Sequence, residues 1–279
     1  MNPLSSVGAV VLTYNEEINL ERCLVSLNWC SEILVVDSGS TDRTPDIAKS
    51  FGARCLVHIQ SPPFRIDLQR NWALDHGGIT SPWVLFLDAD EVVPTELAQQ
   101  IEELCSASAS SYDGYDLTPR YLFLGRWLRR TQGYPNWHPR LVKKDTVRFT
   151  GGVWEHFEPD KKIGRIYTPY DHYGNSKGLT DWLRRHDRYS SWDAERIVKF
   201  LESGNDSALG TQRKLKLRRW AARLWPFRPW VRFVQMYFLR GGFTEGRQAF
   251  IFCMLYFFYE WMIVVKIIEG LRRKKGLPL

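Results

Sequence analysis

The sequence predicts an α/β protein built on a mostly parallel sheet flanked by helices. Three observations carry that prediction. Short, fully apolar runs alternate with helical patterns over the first hundred residues. Polar clusters stand at the ends of those runs. The composition, 44% hydrophobic and 14% aromatic, supplies a core and excludes a disordered chain.

The elements follow in order. Val7–Thr13 is an apolar run that reads as a buried strand. Ile18, Leu24 and Leu27 place a helical stripe on Glu17–Trp29. Ile33–Asp37 is a second strand, and Asp42–Ser50 a short helix with Pro45 in its first turn. Ala53–His58 reads as a third strand and Phe64–Asp75 as a helix. Trp83–Leu87 is a fourth strand that runs into Asp88-Ala89-Asp90-Glu91, and Pro94–Leu104 restarts a helix. Strands without polar alternation imply a parallel sheet covered on both faces, and such sheets bind ligands at the carboxyl ends of their strands. Tyr14, Asn15 and Glu16 leave the first strand, Asp37 the second, and Asp88 and Asp90 the fourth. Three clusters at three strand ends point to one cleft.

After the small polar linker Ser106–Ser111 the pattern changes. Tyr115–Pro119, Arg140–Lys143 and Val147–Phe149 read as short strands. Gly151–His156 reads as a loop crossing back toward the cleft, and Leu179–Glu202 as a helix. The expected division is a core over 1–115, a second part of the same domain over 116–178, and a helical region over 179–279.

Charge is distributed unevenly. Residues 1–115 carry 6 Lys/Arg and 16 Asp/Glu, a net of −10, while 116–279 carry 32 and 15, a net of +17. An acidic front and a basic rear imply two functional faces, the rear suited to phosphate, anionic lipid or nucleic acid. The five cysteines (Cys23, Cys30, Cys55, Cys105, Cys253) form no CxxC pair and are odd in number, so reduced thiols in a cytoplasmic setting are expected. Met1 to Val7 lacks the basic-then-apolar order of a secretory signal.

Asp88-Ala89-Asp90 sets two carboxylates at a strand end, where a hard divalent ion such as Mg²⁺ or Mn²⁺ takes oxygen ligands and keeps positions open for phosphate. The bland alternative is an acidic cluster favoured by the dipole of the helix that begins nearby. Asp37 heads Asp37-Ser38-Gly39-Ser40-Thr41-Asp42, where Gly39 permits a close turn beneath a ligand and Asp42 suits a helix N-cap.

Four motifs in order, Val11-Leu12-Thr13-Tyr14-Asn15-Glu16-Glu17, Val35-Val36-Asp37-Ser38-Gly39-Ser40-Thr41-Asp42, Gln69-Arg70-Asn71 and Leu87-Asp88-Ala89-Asp90-Glu91, resemble glycosyltransferase family 2. That resemblance implies the GT-A fold and transfer with inversion at the anomeric carbon. It makes 1–115 the nucleotide-sugar-binding core and 116–178 the acceptor side. By it, Thr13, Tyr14, Asn15, Glu16, Asp37, Arg70, Asp88 and Ala89 meet the donor, with Tyr14 flanking the base, and Asp90 with Asp88 holds the metal. Many members carry a second aspartate where this chain has Ser38; a UDP-sugar is the expected donor. Tyr134-Pro135-Asn136-Trp137-His138-Pro139-Arg140-Leu141 and Gly151-Gly152-Val153-Trp154-Glu155-His156 are similar to a narrower subgroup, the lipopolysaccharide-core β-glucosyltransferases. Its usual His-Glu pair stands here as Trp154-Glu155, with His156 on the other side.

An inverting transfer needs a base for the acceptor hydroxyl, and Glu155 is the candidate, with His156 as runner-up. Either could instead be structural, paired with Arg140 or Arg148. Trp154 and His156 are the acceptor-side candidates, for a glycolipid or saccharide acceptor. Asp171 and His172 read as a structural pair. Nucleotidyl transfer, the rival enzyme reading, expects a Gly-rich phosphate loop where Tyr14-Asn15-Glu16-Glu17 stands. A site-degraded nucleotide-sugar scaffold is the non-enzyme reading, and intact Asp88, Asp90 and Glu155 tell against it.

Residues 213–234 interleave arginine with large apolar side chains, and Trp220, Trp225 and Trp230 suit a bilayer interface. Ala249–Ile268 has the length of a membrane span but is interrupted by Glu260 and Lys266. A helix docked on the enzyme or half-immersed at the inner face of the plasma membrane is expected, with a homo-oligomer contact as the alternative use of its apolar side. Nucleic acid is not an expected partner, because the long apolar stretch has no place in that reading.

Overall fold

A computed structural model of the chain describes residues 5–62, 64–106, 111–152, 155–203 and 224–279. Trp154 and Trp220, and with Trp220 the basic run through Arg223, lie outside the described residues. The chain forms two compact units, Met1–Leu122 with Tyr134–Ser176, and Phe123–Gly133 with Lys177–Leu279.

In the first unit the elements run β1 (Val7–Thr13), α1 (Leu20–Val25), β2 (Glu32–Asp37), α2 (Thr44–Ser50), β3 (Arg54–Val57), α3 (Ile66–His76), β4 (Trp83–Asp88), β5 (Glu91–Val92), α4 (Thr95–Ser106) and β6 (Gly114–Phe123). After β7 (Arg126–Trp127), in the second unit, come β8 (His138–Lys143), β9 (Phe149–Thr150), β10 (His156–Phe157) and β11 (Ile163–His172). The sheet order is β3-β2-β1-β4-β8-β6-β11-β5, with β9 and β10 as a separate antiparallel pair. β1 pairs in parallel with β2 and β4, and β2 with β3, as the apolar runs predict.

Alternation along β1 explains why the sheet is covered on both faces. Val7, Ala9 and Val11 join one core with Leu20, Leu24 and Leu97, while Val10 and Leu12 join another with Leu34, Val36, Val84 and Phe86. Each residue of the run therefore faces protein, and polar groups are confined to its end. Register then sets Thr13 beside Asp37, and Leu12 beside both Val36 and Asp88. The three strand ends are adjacent because the pairing is in step.

β8 enters antiparallel to β4 and to β6, while β11 runs parallel to β6 and antiparallel to β5. β11 is a ten-residue strand that apolar periodicity does not disclose. Gly164 and Pro169 interrupt its pattern, and its register with β6 shifts between Ile166 and Tyr170. The expected helix over Glu17–Trp29 is hydrogen-bonded as α only over Leu20–Val25, because Asn15, Glu16 and Glu17 are held to the next loop instead.

The second unit contains α5 (Gly178–Ser203), α6 (Arg228–Phe233) continued by a π-helical turn over Val234–Leu239, and α7 (Gly246–Lys274). Phe123 and Leu128 pack with Met236, Phe252 and Cys253. Glu245 fixes that strand-derived segment by accepting hydrogen bonds from Arg130 N at 2.7 Å and from Thr131 N at 2.8 Å and Oγ1 at 2.6 Å. Ala194, Ile197 and Val198 of α5 pack against Ile263 and Ile267 of α7. Glu260 and Lys266, the two charges in the apolar stretch of α7, are both paired within this unit: Glu260 with Arg228 and Arg232, Lys266 with Asp187.

Candidate active site

The ends of β1 and β2 build one wall. Asp37 is almost fully buried, and its Oδ1 accepts hydrogen bonds from Thr13 Oγ1 at 3.1 Å and from Ser40 Oγ, while Oδ2 accepts from Gly39 N at 3.2 Å and Ser40 N at 2.8 Å. The carboxylate thus shapes its own loop. Gly39 has φ +91°, and a Cβ there would lie 2.9 Å from Ile59 Cδ1, so the turn requires glycine. Asn15, itself at φ 52°, donates from its backbone to Ser40 Oγ at 2.7 Å and accepts from Thr41 N at 2.8 Å. Glu16 N donates to Thr44 Oγ1 and Glu17 N to Asp42 Oδ2, and Glu16 accepts from Asn19 Nδ2. Asn15 and Glu16 therefore tie two loops together, while Tyr14 just before them is 57% exposed and available to a ligand ring.

Gln69-Arg70-Asn71 on α3 shows three consecutive residues serving three elements. Gln69 Nε2 donates to His58 O past the end of β3, and Asn71 clamps β9 through paired bonds with Phe149 N and O at 3.0 and 2.9 Å. Arg70 is fully buried and carries its guanidinium beneath the strand ends, donating to Pro139 O at 2.9 Å and to Asp88 Oδ1 at 3.4 Å.

A second guanidinium, that of Arg140 on β8, completes a buried charge network. Its Nη2 donates to Glu91 Oε1 at 2.7 Å and Asp88 Oδ2 at 3.2 Å, and its Nη1 to Glu155 Oε1 at 3.0 Å. Arg70 Nε lies 3.0 Å from Glu155 Oε2. Two arginines thus face three carboxylates, Asp88, Glu91 and Glu155. Glu91 also receives Asp88 N at 3.0 Å, which locks the Asp-Ala-Asp-Glu turn, and Ala89 is buried beneath it. Burial raises the proton affinity of Glu155 above the ordinary carboxylate range, with Arg70 and Arg140 pulling against it. Burial does the same for Glu91, opposed by Arg140. Burial would lower Arg140, but Glu91, Tyr170, Asp88 and Glu155 outweigh it and hold the guanidinium charged.

Of the sequence-predicted residues, Asp88, Arg70 and Glu155 are brought together, while Asp90 faces His172. Glu155 takes the ion pair with Arg140 that was its structural alternative, and a second with Arg70; Arg148 instead binds Asp75. His156 is exposed at the start of β10, opposite Thr150.

His172 and Asp171, adjacent polar residues read as structural, turn to different partners. His172 is not paired with Asp171, which binds Arg120; its Nε2 lies 3.3 Å from Asp90 Oδ2. Burial works to deprotonate it, but Asp90, reinforced by Glu91 and Asp88, raises its pKa to about 9. The parallel pairing of β11 with β6 and its antiparallel contact with β5, where His172 stands opposite Glu91, bring the imidazole there. Arg140 was foreseen only as an ion-pair partner of Glu155, and Glu91 only as the end of the acidic run; charged residues at the starts or ends of short runs look like solvated termini in a sequence.

Among the described residues no group of three or more His, Cys, Asp or Glu side chains is placed to hold a metal ion. The donors that are present, the Asp90 and Asp88 carboxylates, fit an open oxygen-rich site for Mg²⁺ or Mn²⁺ that leaves room for phosphate oxygens.

Residues 9–165 match the family described as Glycosyl transferase family 2. The lipopolysaccharide core biosynthesis glycosyltransferase LpsC of Rhizobium meliloti (strain 1021) is 27% identical over 273 residues, which are 96% of this chain and 94% of that protein. An uncharacterized glycosyltransferase of Rickettsia typhi is 26% identical, over 95% of this chain and 88% of that one. Among solved structures, glucosyl-3-phosphoglycerate synthase from Mycobacterium tuberculosis, in complex with Mn²⁺, UDP and glucosyl-3-phosphoglycerate, aligns with a TM-score of 0.43 and 18% identity over 65% of this chain and 75% of that one.

Proposed function

The chain belongs to glycosyl transferase family 2 and is a glycosyltransferase of GT-A fold, and from that premise we propose that it transfers a hexose with inversion from a UDP-sugar to a membrane-linked envelope saccharide. The observation that carries this reading is the meeting of Asp88 and Glu155 over two buried arginines, with Asp90 two residues on facing His172. Tyr14 would flank the base. The loop that Asp37 organises with Thr13, Asn15 and Glu16 would receive the nucleoside, and Asp88 with Ala89 the ribose side.

Asp90 and Asp88 would hold the Mg²⁺ or Mn²⁺, whose chemistry is to neutralise the departing diphosphate. Arg70 supplies positive potential under the same groups. Glu155 would take the proton as the acceptor oxygen bonds to the anomeric carbon and the bond from that carbon to phosphate breaks. Each Glu155 oxygen faces one guanidinium, and a carboxylate oxygen retains a second lone pair for that proton. A raised proton affinity suits the role. The relative active in lipopolysaccharide core biosynthesis supports an envelope saccharide as acceptor, and a cytoplasmic site at the inner face of the membrane.

The experiment is transfer, or donor hydrolysis, with and without EDTA. EDTA should abolish activity and Mn²⁺ or Mg²⁺ restore it; Asp90→Ala with full metal-dependent turnover would refute the metal assignment. Glu155→Gln should bind UDP as the parent does yet lose transfer by about 100-fold or more; retained turnover removes Glu155 as the base.

A further inference from the structure

The second unit contains an apolar surface that the reaction does not use. On α7 the exposed side chains Phe250, Ile251, Phe258, Trp261, Val265 and Ile268 fall within about 100° of one another around the helix and form one stripe. It extends for about 27 Å at 1.5 Å per residue. Its only intervening charges, Glu260 and Lys266, are turned off that face. Glu260 is 2% exposed and accepts from Arg228 Nε at 2.7 Å and Arg232 Nε at 3.2 Å. Lys266 Nζ donates to Asp187 Oδ1 at 2.6 Å and to Ser190 and Ser191 Oγ at 2.8 Å. Ring contacts widen the stripe into a plate: Trp230 meets Phe257 at 4.9 Å, and Phe233 meets both Phe250 and exposed Phe238. A soluble surface rarely presents a continuous apolar area of this kind.

Three occupants are conceivable, and the observations separate them. Gly242–Lys274 is long and apolar enough to cross a bilayer. However, α5 packs along α7, with Tyr259 OH donating to Asp193 Oδ2 at 2.9 Å and Val198 against Gly270, and its outer face exposes Arg184, Arg188 and Arg196. A spanning α7 would draw that charged face into hydrocarbon. A second copy of the chain would bring cations against cations, since exposed Arg247 ends the stripe on one side and exposed Arg272 on the other, whichever way two stripes align. An anionic bilayer surface matches both the apolar middle and the basic ends.

We propose that α7 and α6 form an in-plane membrane anchor, with the Phe250–Ile268 stripe immersed at the headgroup boundary and Arg247 and Arg272 on anionic lipid phosphates. The proposal rests on the membrane-linked acceptor above for its purpose, while its physical case is independent of it. Pairing Glu260 and Lys266 inward is what lets a helix with two charges present none to the lipid.

The test is flotation of the full-length protein with phosphatidylcholine vesicles, with and without about 30% phosphatidylglycerol. Binding should require the anionic lipid, weaken with salt, and be reversed by alkaline carbonate. The double variant Trp261→Glu/Val265→Glu, altered only at exposed positions, should bind at least about tenfold less. Trp192→Glu, at an exposed position between Arg188 and Arg196 on the side of α5 away from α7, should bind as the parent does. Unchanged circular dichroism and nucleotide-sugar hydrolysis in the double variant keep the anchor distinct from the enzyme. Flotation by the double variant equal to the parent overturns the proposal. So does absence of binding to either vesicle, resistance to carbonate, or a lipid-free dimer that the double variant dissociates.

Discussion

Replacing Arg140 by alanine tests whether the buried charge network is a balanced unit. Arg140 is 3% exposed and meets Glu91, which is fully buried, Glu155 and Asp88. The variant leaves Glu91 with no guanidinium and Glu155 with Arg70 alone. Breaking one side of a buried pair costs about 3–5 kcal/mol, because the remaining charge is left desolvated. That is a large part of the ~5–15 kcal/mol that holds a domain folded. At about 2–4 °C per kcal/mol for a unit of this size, the melting temperature should fall by roughly 6–20 °C. The deficit should also depend on pH. Loss of Arg140 removes the group that opposes the upward shift of Glu91, so the folded-state pKa rises further above the unfolded one. A carboxyl shifted upward stabilises the fold below its unfolded pKa and loses that contribution as pH rises through the folded one. The variant should therefore approach the parent near pH 4.5 and be weakest at neutral pH. Adding Glu91→Gln should recover part of the loss. Thermal melts of the four proteins across pH 4.5–8 decide it; a fall below about 2 °C, or a double variant weaker than the two single effects combined, refutes the argument.

Asn71→Ala removes both bonds to Phe149 and should destabilise the first unit by about 1–3 kcal/mol in urea melts, with Asn71→Asp no better because one bond needs a donor. Gly77→Ala would set a Cβ 2.3 Å from Ala73 O and 2.5 Å from Leu34 Cδ2, so a loss of about 1–3 kcal/mol is expected by the same measurement. In the second unit, burial, aided by Arg185, lowers His186 to about 4, where it stacks on Trp182 at 3.7 Å. A histidine held neutral stabilises the fold above its unfolded pKa and loses that contribution as pH falls toward 4. His186→Phe should reduce the difference in melting temperature between pH 7 and pH 5, and an unchanged difference would show that His186 does not set it.

What was legible in the sequence was whatever the local period encodes. The strands β1, β2 and β4 read as unbroken apolar runs, and their polar ends named Tyr14, Asp37, Asp88 and Asp90 directly. Glu155 was found through its motif, and its arginine partner was foreseen as an alternative. His172 was not, because its position depends on β11, whose pairing with β6 slips across Pro169 and leaves no regular alternation. Arg140 was read as part of a short strand, since nothing in the order of residues says that a sheet edge will close over it. Glu260 and Lys266 were read as interruptions of an apolar helix. Only the packing of α5 and α6 reveals that both are neutralised by partners far away in sequence.

The clasp of Glu245 on Arg130 and Thr131 has a consequence for how the protein is made. Phe123–Gly133 leaves the ribosome early but belongs to the unit that ends the chain. Phe252, which covers Phe123, is synthesised 119 residues after Gly133, a delay of roughly 6–24 s at bacterial and eukaryotic elongation rates. During that interval Phe123 and Leu128 have no cover, and the nascent chain is open to chaperones or to misassembly at that one place. A shortened protein ending at Ser176 would carry the same exposure permanently, so expression of the catalytic unit alone calls for replacing Phe123–Gly133 with a polar turn.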